Sequence, residues 1–161
     1  MSISKITPCL WFDDRGEEAA QFYTSIFPNS SITHTAYYSE AGADKHGHAP
    51  GSVMVVKFNL NGTPFVALNG GPQFKPNEAI SFQIECADQK EVDYYWDKLG
   101  EGGNPAKQAC GWLADKFGIS WQVNPKAVEE IFGGEDKERA KRATVAMMKM
   151  KKIDIKALVE A

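Results

Sequence analysis

The stretch FGISWQV, residues 117–123, opens on a glycine turn and then alternates Ile119, Trp121 and Val123 with Ser120 and Gln122. A period of two is the pattern of a β-strand with one apolar and one polar face. The apolar side belongs to a core. The polar side either meets water or looks into a cavity where amides and hydroxyls handle a ligand, and the stretch alone leaves both readings open.

The same alternation occurs upstream in AISFQIECA (79–87), where Ser81, Gln83 and Glu85 share one face and Phe82, Ile84 and Cys86 the other. Between the two lie DQKEVDYYWDKLG (88–100) and AKQACGWLAD (106–115). The first is a helix with Val92, Tyr95, Trp96 and Leu99 on one stripe, ended by Gly100. The second supplies short strands before the Gly118 turn. This half of the chain therefore reads β-α-β-β-β.

The N-terminal half has the same order. KITPCLWF (5–12) is a strand whose first part Pro8 confines to an edge or irregularity. DDRGEEAAQFYTSIFPNS (13–30) is a helix, with Ala19, Phe22, Tyr23, Ile26 and Phe27 at helical spacing and acids at its start, where the dipole favours them. Strands at ITHTAYY and SVMVVKFNL flank a loop, SEAGADKHGHAPG (39–51), and Asn61-Gly62 signals a hairpin into TPFVALN. Phe22-Tyr23 matches Tyr95-Trp96, and Gly62 matches Gly118. These correspondences mark an internal repeat. Beyond it the chain is helical: PKAVEEIFGG, then a segment with Ala140, Ala143, Thr144, Met147 and Met148 on one stripe, then IDIKALVEA. The methionine stripe reads as core or subunit contact.

Composition narrows the function classes. The chain has 161 residues, 43% hydrophobic and 24% charged, with a net charge of −3. That balance gives no reason to expect nucleic acid or an anionic membrane as a partner. No apolar stretch has membrane-spanning length, and the N-terminus lacks a signal-peptide pattern. Three widely spaced cysteines, Cys9, Cys86 and Cys110, fit free thiols in a reducing cytoplasm.

Three stretches carry a family resemblance: LNGGP (68–72), CGWLADKFGISWQV (110–123) and MMKMKKIDI (147–155). They resemble the PhnB-like branch of the vicinal oxygen chelate superfamily, which includes glyoxalase I, extradiol dioxygenases and bleomycin-resistance proteins. Members of the branch often bear the name 3-demethylubiquinone-9 3-methyltransferase. The resemblance implies an α+β fold of two β-α-β-β-β modules whose curved mixed sheets partly enclose a cavity, usually in a homodimer. The modules span 1–72 and 73–125, followed by a helical extension at 126–161, all in one compact unit.

The superfamily's usual metal sits between a His or Gln near the start of each module's first strand and a Glu near the end of its last. Carried onto this chain, those positions fall near Thr7 or Pro8, at Ser81, near Ala67 and at Gln122. None is an imidazole or a carboxylate, so no tight divalent-metal site is expected. His46 and His48, with Asp44 or His34, form a weak alternative. An S-adenosylmethionine site needs a glycine-rich turn between a strand and a helix. LNGGP leads into QFKPNE and LGEGGNP follows a helix, so neither provides one, and no cofactor is expected.

The cavity implied by the resemblance draws ligand-binding candidates from both modules. Ser81, Gln83, Ser120 and Gln122 come from the second, Asn69 and Phe65 from the first, and Leu10 or Phe12 forms an apolar wall. Trp112 and Asp115 form the rim, Trp112 as a stacking surface, while Trp121 and Trp11 go with the core. If the protein is an enzyme, Glu85 or Asp115 is the general base beside a carbonyl and the amides of Gln122 and Asn69 stabilise the oxyanion. The structural alternatives are a solvated strand end for Glu85 and a turn cap for Asp115. Three functions remain open: a small-molecule binding protein of the bleomycin-resistance type, a metal-dependent or metal-independent lyase, isomerase or dioxygenase of the same superfamily, and a dimeric scaffold whose cleft is unused.

Overall fold

Asn61 and Gly62 both adopt positive φ, 46° and 84°, the conformation of the primed turns that match the twist of a hairpin. They join β3 (Val53–Leu60) to β4 (Thr63–Asn69). With β1 (Cys9–Phe12) and β2 (Ser31–Tyr37) these make a four-stranded sheet in the order β1-β4-β3-β2. β1 and β4 run parallel and the other neighbours antiparallel. The structure is a computed structural model and describes residues 6–161; Lys5, the first residue of the expected first strand, lies outside the described residues.

Helix α1 (Gly16–Ile26) buries Ala19, Ala20, Tyr23 and Ile26. Tyr23 stacks on Phe58, and Phe58 on its cross-strand partner Phe65. Register then assigns the rest of that face: Val56 opposite Ala67, Leu10 beside Ala67, and Phe12 beside Asn69. A short helix, α2 (Ala43–His46), interrupts the 39–51 loop.

The second sheet has the order β5-β7-β6, from β5 (Ser81–Cys86), β6 (Trp112–Ala114) and β7 (Ser120–Pro125). Helix α3 (Gln89–Gly100) starts on a reciprocal cap. The Asp88 carboxylate accepts from Glu91 N–H, and the Glu91 carboxylate accepts from Ala87 N–H. Val92, Trp96 and Leu99 are buried, as are Ile84, Cys86, Leu113, Trp121 and Val123 on the apolar sheet face. The helix stripe and the strand alternation meet as the sequence predicts.

This module has three strands, one fewer than the repeat predicts. The missing strand's place is taken by a 3₁₀ turn at Pro105–Lys107 and an isolated bridge from Ala109 to Trp112. Cys110 and Gly111 take φ of 51° and 83°, which breaks extended pairing. Their N–H groups instead donate to the carbonyls of Met150 and Lys151.

Those carbonyls belong to the C-terminal extension of α4 (Lys126–Gly133), α5 (Lys137–Met147) and α6 (Ile155–Val159). Ile131, Ala143, Ile153 and Leu158 form its core, with Met147 and Met150 packed against it. Met148 is instead 71% exposed, because α5 ends at Met147 and the next residue turns outward. The chain divides into two compact units, Met1–Lys75 and Pro76–Ala161, and the extension belongs to the second. Among the described residues no helix is long and apolar enough to cross a membrane.

Gln89 pins the extension to α3. Its amide donates to Ile153 C=O and to Asp93, and accepts from Ile155 N–H. Lys152 adds an ion pair at 2.9 Å and, with Gln89, holds the Asp93 carboxyl below its usual range. Gln89→Ala leaves a backbone carbonyl and an N–H without their partner. It is expected to lower stability by about 1–3 kcal/mol in urea unfolding and to speed amide exchange at Ile155 first.

A polar row on the second sheet

The polar face foreshadowed by FGISWQV is built by strand register. In the parallel β5–β7 pair, Ser81 lies beside Ser120, Gln83 beside Gln122, and Glu85 beside Asn124. The antiparallel β6–β7 pair then sets Trp112 beside Gln122 and Ala114 beside Ser120. Ser81, Gln83, Ser120, Gln122 and Trp112 thus share one face, as the alternation predicts. Ser120 is buried, Ser81, Gln122 and Trp112 are half-buried, and Gln83 is exposed.

A chain of hydrogen bonds runs across it. The Gln122 amide Nε2 donates to Ser81 Oγ at 2.9 Å, and Asn124 Nδ2 approaches Gln122 Oε1 at 3.4 Å. Asn124 was missed by sequence reasoning, although the i+2 series from Ser120 through Gln122 points to it. Glu85 is exposed at the strand end and pairs with Lys126 at 3.3 Å. That is the solvated strand-end geometry.

Asp115 is 3% exposed and fully engaged. Its Oδ1 accepts from the N–H groups of Phe117 and Ile119, and its Oδ2 accepts from Trp121 Nε1 at 2.8 Å. The carboxylate therefore closes the β6–β7 turn and fixes the indole beneath the sheet. It has the turn-capping role.

The first-module candidates do not lie on an open face. Leu10, Phe65 and Asn69 are on the α1-covered side of their sheet, all buried. Asn69 accepts from Gly16 N–H at 2.7 Å and donates to Val53 C=O at 3.0 Å, tying the start of α1 to β3. The face assignment slips because TPFVALN is apolar at both phases, so alternation cannot choose between them.

Trp11 is the converse correction. It lies on the opposite side from Leu10 and Phe12 and is half-buried. Its Nε1 donates to Gly71 C=O at 2.8 Å, and its ring meets Phe74 edge-on at 5.0 Å. A Cβ on Gly70 would stand 2.2 Å from the indole, which explains the first glycine of LNGGP.

In the 39–51 loop the rings of His46 and His48 stack near Tyr38, at 4.7 and 4.2 Å. His46 Nδ1 accepts the His48 N–H, so the ring proton belongs on Nε2 and that nitrogen has no lone pair for a cation. Among the described residues no group of three His, Cys, Asp or Glu side chains comes together to hold a metal ion.

The fold is that of the vicinal oxygen chelate superfamily. Its two mixed sheets with helices are shared with the fosfomycin resistance protein FosX of Listeria monocytogenes, at 13% identity and a TM-score of 0.51 over 86% of this chain and 98% of that one. The protein PA1353 of Pseudomonas aeruginosa matches at 20% identity and a TM-score of 0.57, over 76% and 98%. The family model for 3-demethylubiquinone-9 3-methyltransferase matches residues 4–124, and the chain belongs to that PhnB-like family. The PhnB protein of Bacillus cereus, described by the same name, is 32% identical with a TM-score of 0.65, over 76% of this chain and 99% of that one. No curated protein matches this chain.

Neither group that these names imply fits the residues present. For S-adenosylmethionine, Gly70 and Gly71 are taken up by Trp11, and turns and irregular chain rather than a helix follow them. For a metal, the matched positions offer Ser81 and Gln122, while Ala67 is buried on the α1 side. A hydroxyl and a neutral amide are a poor donor set for a divalent ion.

Asp115→Asn puts an NH2 among N–H donors and is expected to cost about 2–4 kcal/mol in chemical denaturation. Cys86 is buried, and desolvation followed by the charges of Glu91 and Asp88 pushes its thiol up to about 12. The folded state thus holds the proton over a range where the unfolded thiol loses it. A thiol reagent at pH 8 is expected to spare Cys86 until the protein unfolds, and stability should fall as pH rises from 9 toward about 12.

Proposed function

We propose that the polar row on the second sheet binds a small, partly polar organic molecule without a metal or S-adenosylmethionine, in the manner of glyoxalase- and bleomycin-resistance-like proteins. The observation that carries this reading is the Ser81–Gln122–Asn124 row beside the half-buried Trp112. Amides and hydroxyls next to an aromatic surface suit a ligand with one polar end and one flat apolar part.

Binding is favoured over general-base catalysis by the state of the two carboxylates. Glu85 is exposed and paired with Lys126, and both Asp115 oxygens are taken by N–H donors. A base must be within reach of the proton it removes and free to accept it. The protein would act in the cytoplasm as a homodimer. The three free cysteines support the first point and the resemblance supports the second.

Binding can be tested by screening untagged protein, purified without chelator, against small organic molecules by thermal shift. Trp112→Ala should weaken a hit by about tenfold or more, and Glu85→Gln should leave it unchanged. Native mass spectrometry should show a dimer without tightly held divalent metal, and calorimetry no heat with S-adenosylmethionine. A bound metal, or a turnover abolished by Glu85→Gln, would sink the proposal.

A further inference from the structure

The row is polarised, and its polarity names the ligand class. The Ser81 hydroxyl accepts the Gln122 amide, so its own proton points elsewhere, and no described residue takes it. The second proton on Gln122 Nε2 is likewise unclaimed, while Oε1 is turned toward Asn124. Two adjacent donors are therefore offered on the face, from an O–H and an N–H, with the amide's own acceptor directed away.

Charge narrows the choice further. Strands β5, β6 and β7 contain no lysine, arginine or histidine, and Glu85 is the only charged residue among them. The nearby cation, Lys126, is held by that Glu85. A carboxylate or phosphonate would thus meet donors but no free counter-charge, with an anion further along the same strand.

Resting on the proposed binding at this face, we infer that the site takes a neutral molecule carrying a hydrogen-bond acceptor, such as an amide or ester carbonyl. The carbonyl oxygen sits on the Ser81 and Gln122 donors and a planar apolar part lies against Trp112. Anions and cations of the same shape are rejected. Trp112 sets the apolar requirement and the Ser81–Gln122 pair sets the polarity.

Benzamide, benzoate and benzylammonium share a frame and differ in charge and donor pattern. Each would be titrated into ¹⁵N-labelled protein, following the Gln122 side-chain NH2 and the Trp112 indole by NMR. Benzamide is expected to shift both signals and to bind about tenfold or more tighter than benzoate. Ser81→Ala should weaken benzamide by about tenfold. Gln122→Glu turns the amide donor into an acceptor, so preference should pass from benzamide to benzylammonium. Dispersed amide spectra of both variants establish that they fold.

If benzamide binds with Trp112 shifting but Ser81→Ala and Gln122→Glu leave the preference unchanged, the polarity inference fails and the binding reading stands. Preference for benzoate also overturns the inference alone. If none of the three probes moves Trp112 or Gln122, both are overturned.

Discussion

Much of the second module depends on one carboxylate. Asp115 gathers two turn amides and the Trp121 indole N–H from within six residues of chain. An anion so buried is tolerable only because each oxygen meets donors. In return it sets the tightness of the turn and so the β6–β7 register. Trp112 stands beside Gln122 because of that register. The structural role of Asp115 and the layout of the polar face are therefore one fact.

The two modules use the same framework for different ends. Each pairs its first and last strands in parallel and lays a helix on one face. The polar residue in the first module, Asn69, is spent on holding the start of α1. In the second module the corresponding helix is capped by Asp88 and Glu91 within its own turn. Its sheet amides form the polar row instead. The extension beyond the family-matched residues completes the second sheet's surroundings, since Cys110 and Gly111 donate to it.

Ser81 and Gln122, at the matched metal positions, are a poor donor set for a divalent ion, and Gly70 and Gly71 pack against Trp11. What the row offers is hydrogen bonding and an aromatic surface.

Strong alternation made Ser81 through Cys86 and Ser120 through Val123 legible in the sequence, because polar and apolar residues there never exchange phase. Asn61-Gly62 was equally legible, since few pairs accept two positive φ values. The sequence by itself determined both helix stripes, the β-α-β-β-β order of the first module and the faces of the second sheet. Tertiary structure alone decided the face of TPFVALN, where Phe65 and Val66 are both apolar and only packing against α1 separates them. It also decided that Asp115 caps the β6–β7 turn and that residues 150–151 replace a strand. Those outcomes rest on partners distant in sequence, or on buried geometry that no local pattern encodes.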